Sequence, residues 1–284
     1  MNKPVKETVY KPDSALLKPG ELLQNMKKDL VDSRELAMRL LLRNIKAQYR
    51  QSVLGYLWAF IPPLFITLVW VFLNSQKIFI VDDTGMPYPV FVLTGTILWQ
   101  TFVDAINSPI KVVNESRSML VKINFPHEAL ILAGLGEVIF NFMIRLFLLI
   151  GIFIYYKLPL PDTVVLFPAG VLSLISMGMM IGLLLTPLSV LYNDIGRGIQ
   201  IVTQAWFFLT PVIYPVPNSL LASTLIKLNP VTPILVSTRD WITTGNSLFL
   251  TEFVINSTLT VLLLFTGWLL YRLAMPHLIS RISA

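Results

Sequence analysis

The sequence predicts an all-α integral membrane protein with six transmembrane helices, an N-terminal amphipathic interface helix, and short re-entrant or interfacial helices before the last span. Three observations predict it. Of the 284 residues, 55% are hydrophobic and only 13% are charged, against the roughly 25% charged of a soluble domain. Apolar runs of spanning length recur along the chain, bounded by charges or by Pro and Gly clusters. A cationic helical stretch also turns through Leu54-Gly55 straight into an apolar run holding Pro62-Pro63, the pattern of a chain that lies on a membrane and then enters it.

Taken in order, residues 1–32 form a cytoplasmic N-terminal extension, 33–51 the interface helix and 52–284 the membrane domain. The extension has no short apolar run ending in a small-residue cleavage site, so the first span is expected to act as the insertion signal. Spans are expected at roughly 54–76, 88–109, 129–156, 164–191, 198–215 and 250–273. The stretch 217–249 is broken by Pro217, Pro230 and Pro233 and is not expected to cross. With these boundaries, 17 of the 22 Lys and Arg residues fall on one side. The positive-inside rule makes that side cytoplasmic, with both termini on it. The net charge of +6 is therefore topological; it lacks the clustered pattern of a nucleic-acid surface, and no nucleic-acid partner is expected.

On the interface helix, Arg39, Arg43, Lys46 and Arg50 make one basic stripe suited to lipid phosphates. Ala37, Met38, Leu41, Leu42, Ile45 and Tyr49 fill a broad apolar arc. Leu36, Leu40 and Ala47 form a second, narrow apolar strip, which a helix bound only to lipid does not need and a docked partner would explain.

At 100° per residue, Tyr56, Phe60, Pro63, Thr67, Trp70 and Asn74 share one face of the first span, opposite Trp58, Phe65 and Phe72. In the fifth span Gln200, Thr203, Gln204, Phe207, Thr210 and Tyr214 lie opposite an apolar set that includes Trp206 and Phe208. Polar groups in hydrocarbon need a partner or a wet cavity. Two faces mixing aromatics with amides and hydroxyls suit either a conduit for sugar or hydrogen bonding inside a tight bundle. Asp104, Glu137 and Arg145 are ionisable groups within spans; an acid paired with Arg145 is expected, and Asp104 is read as lying near the cytoplasmic end. Gly178 and Gly182 make a small-xxx-small pair that permits close packing.

Chemistry of other kinds is not supported. No Gly is followed by Lys, so a P-loop is absent. There is no Cys, and His127 and His277 form no metal cluster and are read as solvated. An intramembrane glycosyl- or acyltransferase using Asp104 or Glu137 is the enzymatic alternative, and it lacks a second clustered catalytic group.

Ordered motifs run through the chain: Tyr49-Arg-Gln-Ser-Val-Leu-Gly-Tyr-Leu-Trp58, Leu93-Thr-Gly-Thr-Ile-Leu-Trp99, Lys122-Ile-Asn-Phe-Pro126, Tyr192-Asn-Asp-Ile195, Leu209-Thr-Pro-Val-Ile-Tyr-Pro215 and Asn229-Pro230. Together they resemble the permease subunits of type-2 ABC transporters for polysaccharide export, which serve O-antigen, capsule and teichoic acid alike. The resemblance implies a homodimer in the bacterial plasma (inner) membrane, powered by two separate ATPase subunits that hold ATP and Mg, with no cofactor in this chain. It further implies a lipid-linked polysaccharide as cargo, entering near Leu54 and Gly55. Coupling to the ATPase would fall to Asn114, Glu115, Arg117, Lys122 and Phe125 in the first cytoplasmic loop and to Asn193, Asp194 and Arg197 in the second. Asn193 departs from the Arg or Lys common before that Asp. An exporter of lipids or drugs from the same superfamily is the nearer alternative.

Overall fold

The computed structural model describes residues 19–50, 52–122, 126–192, 194–216, 228–246 and 248–282. Every regular element among them is helical: α1 (Pro19–Asp32), α2 (Arg34–Arg50), a 3-10 turn (Gly55–Ala59), α3 (Ile61–Ser75), α4 (Tyr88–Glu115), α5 (Arg117–Lys122) and α6 (Glu128–Tyr155). A second 3-10 turn (Asp162–Leu166) then leads into α7 (Phe167–Leu191), α8 (Asp194–Leu209), α9 (Val231–Asp240) and α10 (Leu250–Ile282).

Among the described residues, four helical segments are long and apolar enough to cross a membrane: Tyr88–Glu115, Glu128–Tyr155, Asp162–Leu191 and Leu250–Leu278. The first and fifth expected spans are shorter, helices of 15 and 16 residues. At 1.5 Å per residue each rises only about 23 Å, against a hydrocarbon core of about 30 Å. The cause is local. Gly55 takes a positive φ of 49° and opens a 3-10 turn. Pro62 and Pro63 fit only the first turn of a helix, so α3 starts at Ile61. At the far end α8 stops before Pro211. The expected extension is also partly helical, since residues 19–32 continue almost directly into α2.

Helix α4 is the hub, enclosed by α3, α6, α7, α8 and α9. Small residues on its neighbours let backbones meet it. A Cβ at Gly178 would stand 2.6 Å from the Phe102 carbonyl, and one at Gly182 would collide with the Ile106 carbonyl, so the small-xxx-small pair is the α4–α7 contact. Gly134 plays the same part for α6, where a Cβ would stand 2.6 Å from Ser108 Oγ. Pro109 lies inside α4 without ending it; the helix runs on to Glu115 rather than stopping near 109. Outward faces are apolar, with Phe147, Ile154, Val254, Ile255, Leu259 and Leu262 exposed, a surface suited to lipid rather than water.

Two of the sequence motifs pack on each other. Gly95 of α4 abuts Val212, Trp99 packs edge-on against Trp206 and Phe207 of α8 at 6.3 and 5.9 Å, and the Tyr88 hydroxyl donates to the Ile213 carbonyl at 3.1 Å. Asn229 fastens the break after α8. Its Oδ1 accepts from Trp206 Nε1 at 3.0 Å and from the Val231 amide at 3.1 Å, while its Nδ2 donates to Thr210 Oγ1 at 2.8 Å. All ten residues of α9 are buried. There Arg239 lies over the Phe91 ring at 3.8 Å and donates to the Pro211 carbonyl at 2.9 Å. Burial lowers the Arg239 pKa to about 10, opposed by the Asp240 charge, and raises that of Asp240 to about 6, opposed by Arg239. Asn229→Ala strands the Trp206 and Val231 donors and is expected to cost about 1–3 kcal/mol, read as a lower thermal midpoint; an unchanged midpoint would show the cluster is dispensable.

Candidate functional site

The chain presents three groups of functional candidates: α2 with the turn after it, the α3 and α8 faces, and the region where α4 and α7 end and α5 and α8 begin. On α2 the basic stripe stays exposed at Arg39, Arg43, Lys46 and Arg50. Arg39 pairs with Glu35 at 2.5 Å across one exposed helical turn, a contact of little energetic weight. The apolar strips divide differently from the expected pattern. Ala37 and Leu40 are buried in the chain's own core with α4, α5, α6, α7 and α10, and Leu36 and Leu41 pack against it. Met38 and Leu42 stay exposed, and so does Ala47. The docked partner that the narrow strip called for is, at Leu36 and Leu40, the rest of this chain.

The first-span face does not hold together. Pro63 and Thr67 are buried, and the Thr67 hydroxyl donates to the Pro63 carbonyl of its own helix at 2.7 Å. Trp70 packs edge-on against Phe79 at 5.1 Å and Phe208 of α8 at 6.4 Å, and Asn74 is half-buried. Tyr56 instead faces α6, its ring 6.1 Å from that of Phe140. Residues 55–59 are 3-10 and not α, so their 120° step breaks the register that a single α wheel assumes. For the same reason Trp58 leaves the face of Phe65 and Phe72, both exposed, and stands beside α4 and α6. Phe60 caps the turn, half-buried, and Leu54 and Gly55 lie open at its start.

The α8 face divides likewise. Gln200 and Gln204 are exposed, whereas Thr203 is buried with its hydroxyl on the Ile199 carbonyl at 2.8 Å. Phe207 turns to α4 together with Trp206, which the wheel had put on the other side. Tyr214 donates to the Phe208 carbonyl at 2.7 Å.

Where α4 and α7 end, Arg117 joins the two loops. It donates to the Val190 carbonyl at 2.9 Å and the Ser189 carbonyl at 3.3 Å, and to Asn114 Oδ1 at 3.1 Å. A cation on the orphan carbonyls that end α7 is the favourable match to a helix dipole. Glu115, Asp194 and Arg197 are exposed, the last two 3.8 Å apart. Lys122 ends α5; Phe125 and Asn193 lie outside the described residues.

Asp104, Glu137 and Arg145 are each partnered. Arg145 donates to Asp104 Oδ2 at 2.7 Å, and Gln100 to Asp104 Oδ1 at 3.0 Å. Because α4 continues to Glu115, Asp104 is about 17 Å from the C-terminal end of that helix, deeper than expected and level with Arg145. Glu137 accepts from Asn44 of α2 at 2.6 Å and from Lys111 of α4 at 3.2 Å. A further clamp has no sequence signal, since its parts are far apart in the chain: Arg272 of α10 donates to Asp29 of α1 and to Glu128 of α6, each at 2.5 Å. His127 sits beside it, not out in solvent, and burial followed by the Arg272 charge lowers its pKa. Among the described residues no group of His, Asp or Glu could hold a metal ion.

Comparison with known proteins places this geometry. The chain is 28% identical over 214 residues to an O-antigen export system permease protein RfbA of Myxococcus xanthus, covering 74% of this chain and 81% of that protein. It is 23% identical over 233 residues to an O-antigen export system permease protein RfbA of Klebsiella pneumoniae, covering 80% and 85%. Residues 35–243 match the ABC-2 type transporter family. That stretch runs from α2 past α9 and takes in every motif quoted above, so the chain belongs to the ABC-2 type transporter family.

Proposed function

We propose that this chain is the membrane permease subunit of a polysaccharide exporter. The observation that carries this is the match to two O-antigen export permeases over about three quarters or more of the chain. Two copies would enclose the conduit, and two separate ATPase subunits holding ATP and Mg would drive it. The cargo would be a lipid-linked glycan moved from the cytoplasm to the outer face of the bacterial plasma membrane, with both termini of the chain inside. The crossing would use α3 and α8 as first and fifth spans, lengthened by the turn at 55–59 and by residues 210–216. Exposed Phe65 and Phe72 on α3, and Ile201, Val202 and Phe208 on α8, support a non-aqueous or partner-covered setting for both.

Exposed Gln200 and Gln204 are the polar groups on α8 available to a sugar. Replacing both with Leu is expected to lower export about five- to thirtyfold, the loss of one or two contacts near 1 kcal/mol each, at an unchanged thermal midpoint. Normal export with a raised midpoint would put that face against lipid. The whole reading is tested by reconstituting the ATPase subunits with and without this chain; ATP-dependent glycan export that persists without it would overturn the proposal.

A further inference from the structure

Beneath the entrance turn lies a polar cavity of about 210 Å³ between three elements. Gln48 of α2 and Trp58 and Ala59 of the 3-10 turn form its roof; Asp104, Asn107 and Lys111 of α4 and Glu137, Asn141 and Arg145 of α6 form its walls. We infer that this cavity is a binding site for one ring of a sugar chain, lying within a single protomer beside the Leu54-Gly55 turn. The inference rests on the polysaccharide reading above and assigns a particular place to it.

Charge selects the ligand class. Two cations and two carboxylates line the space, and each cation is already committed to a carboxylate: Arg145 to Asp104 at 2.7 Å and Lys111 to Glu137 at 3.2 Å. The lining is formally neutral, so a phosphate or diphosphate would have to compete with carboxylates built into the same wall, and a metal ion with the cations. A neutral molecule rich in hydroxyls meets no such competition. Hydroxyl groups both donate and accept, and this wall offers both. Among the described residues each carboxylate oxygen accepts one bond from the protein and keeps accepting capacity, while Arg145 and Lys111 carry more N–H groups than the bonds they make there. Asn107 adds an amide carbonyl, its Nδ2 being held on the Val103 carbonyl at 2.9 Å.

The geometry is fixed in advance. Glu137 and Arg145 are 5% and 6% exposed, so their positions are set by packing rather than by solvent. Arg145 Nε also reaches the Ala59 carbonyl at 3.4 Å, tying the wall to the roof. Trp58 is the aromatic side chain among the lining residues, and an indole offers the C–H face of a pyranose a flat apolar surface with an N–H at its edge. The volume is below the roughly 300–1,000 Å³ of pockets for drug-sized ligands, which limits the occupant to a single ring while the rest of the chain lies outside.

The test uses the complete transporter in cells that make its glycan. The photoreactive residue p-benzoylphenylalanine replaces Gln48, on the cavity wall, or Met38, exposed on the same helix away from it. Irradiation is expected to give a glycan-bearing adduct from position 48 at about tenfold the yield from position 38, the factor for a contact worth 1.4 kcal/mol. Adding Trp58→Leu should lower that yield about five- to tenfold, and Trp58→Phe should restore most of it. Thermal midpoints of both Trp58 variants establish that the fold survives. Equal yields at the two positions, no adduct at 48, or an adduct carrying phospholipid without sugar would each overturn the inference. Export measured in the same cells separates the two failures. If export needs this chain but position 48 yields no glycan adduct, the cavity assignment alone falls; if export continues without the chain, the exporter reading falls as well.

Discussion

Replacing Arg145 with Met is expected to destabilise the bundle by about 3–5 kcal/mol, because it leaves Asp104 as an uncompensated charge among α3, α4 and α6. The same principle predicts an asymmetry. Asp104→Asn leaves a neutral amide that still accepts from Arg145, and it should cost less than half as much. In the double variant Asp104→Leu, Arg145→Met both desolvation penalties disappear together, so stability should return to within about 1–2 kcal/mol of the parent. Thermal unfolding in detergent with a double-mutant cycle reads this directly. Additive losses would show that the 2.7 Å contact carries no coupling. A double variant that is stable but exports poorly would assign the pair the sugar-contacting role inferred above; recovery of export along with stability would assign it a purely structural one.

Gly182→Leu is expected to break the α4–α7 contact outright. A Cβ there already collides with the Ile106 carbonyl and stands 3.1 Å from the Pro109 ring, and backbone cannot yield as a flexible side chain can. The cost should exceed the about 1–3 kcal/mol typical of overpacking, giving little folded protein. Gly178→Ala is the milder form of the same insult, its Cβ 2.5 Å from that of Ala105. Gly151→Ala is the control: nothing lies within 4 Å of a Cβ there, so the helix-propensity gain of about 0.5–1 kcal/mol should appear as a raised midpoint. If Gly182→Leu and Gly151→Ala behaved alike, the close approach of α7 to α4 would be wrong.

These two contacts mark the limit of what could be read from residues alone. The membrane class, the four long apolar segments and the close-packing use of Gly178 and Gly182 were legible, because each follows from composition or from spacing within one helix. The partner of Arg145 was legible as a need and left open as a choice between acids. Glu137 took Asn44 and Lys111 instead, and Arg272 took Asp29 and Glu128 across more than a hundred residues of chain. The wheels drawn for the first and fifth spans failed for a local reason. One assumed α geometry through a 3-10 turn, and in both Thr67 and Thr203 spent their hydroxyls on their own backbone, which a count of polar residues cannot foresee. Asn229, quoted only as part of a motif, proved to be the residue that ties Trp206, Thr210 and Val231 together.

The sequence by itself determined that the chain is a helical membrane protein, that its basic helix lies ahead of its first apolar run, and that its ordered motifs are those of a transporter family. Such properties are sums over neighbours in the chain, and hydropathy and periodicity record them. Only the tertiary structure decided which acid meets which base, that Trp58, still half-exposed, borders a polar cavity, and that Arg117 clasps the end of α7. Those outcomes depend on the angles at which helices cross and on single breaks in backbone geometry at Gly55 and Pro211. A one-residue change in turn rotates every side chain beyond it, and no local pattern in the sequence fixes that rotation.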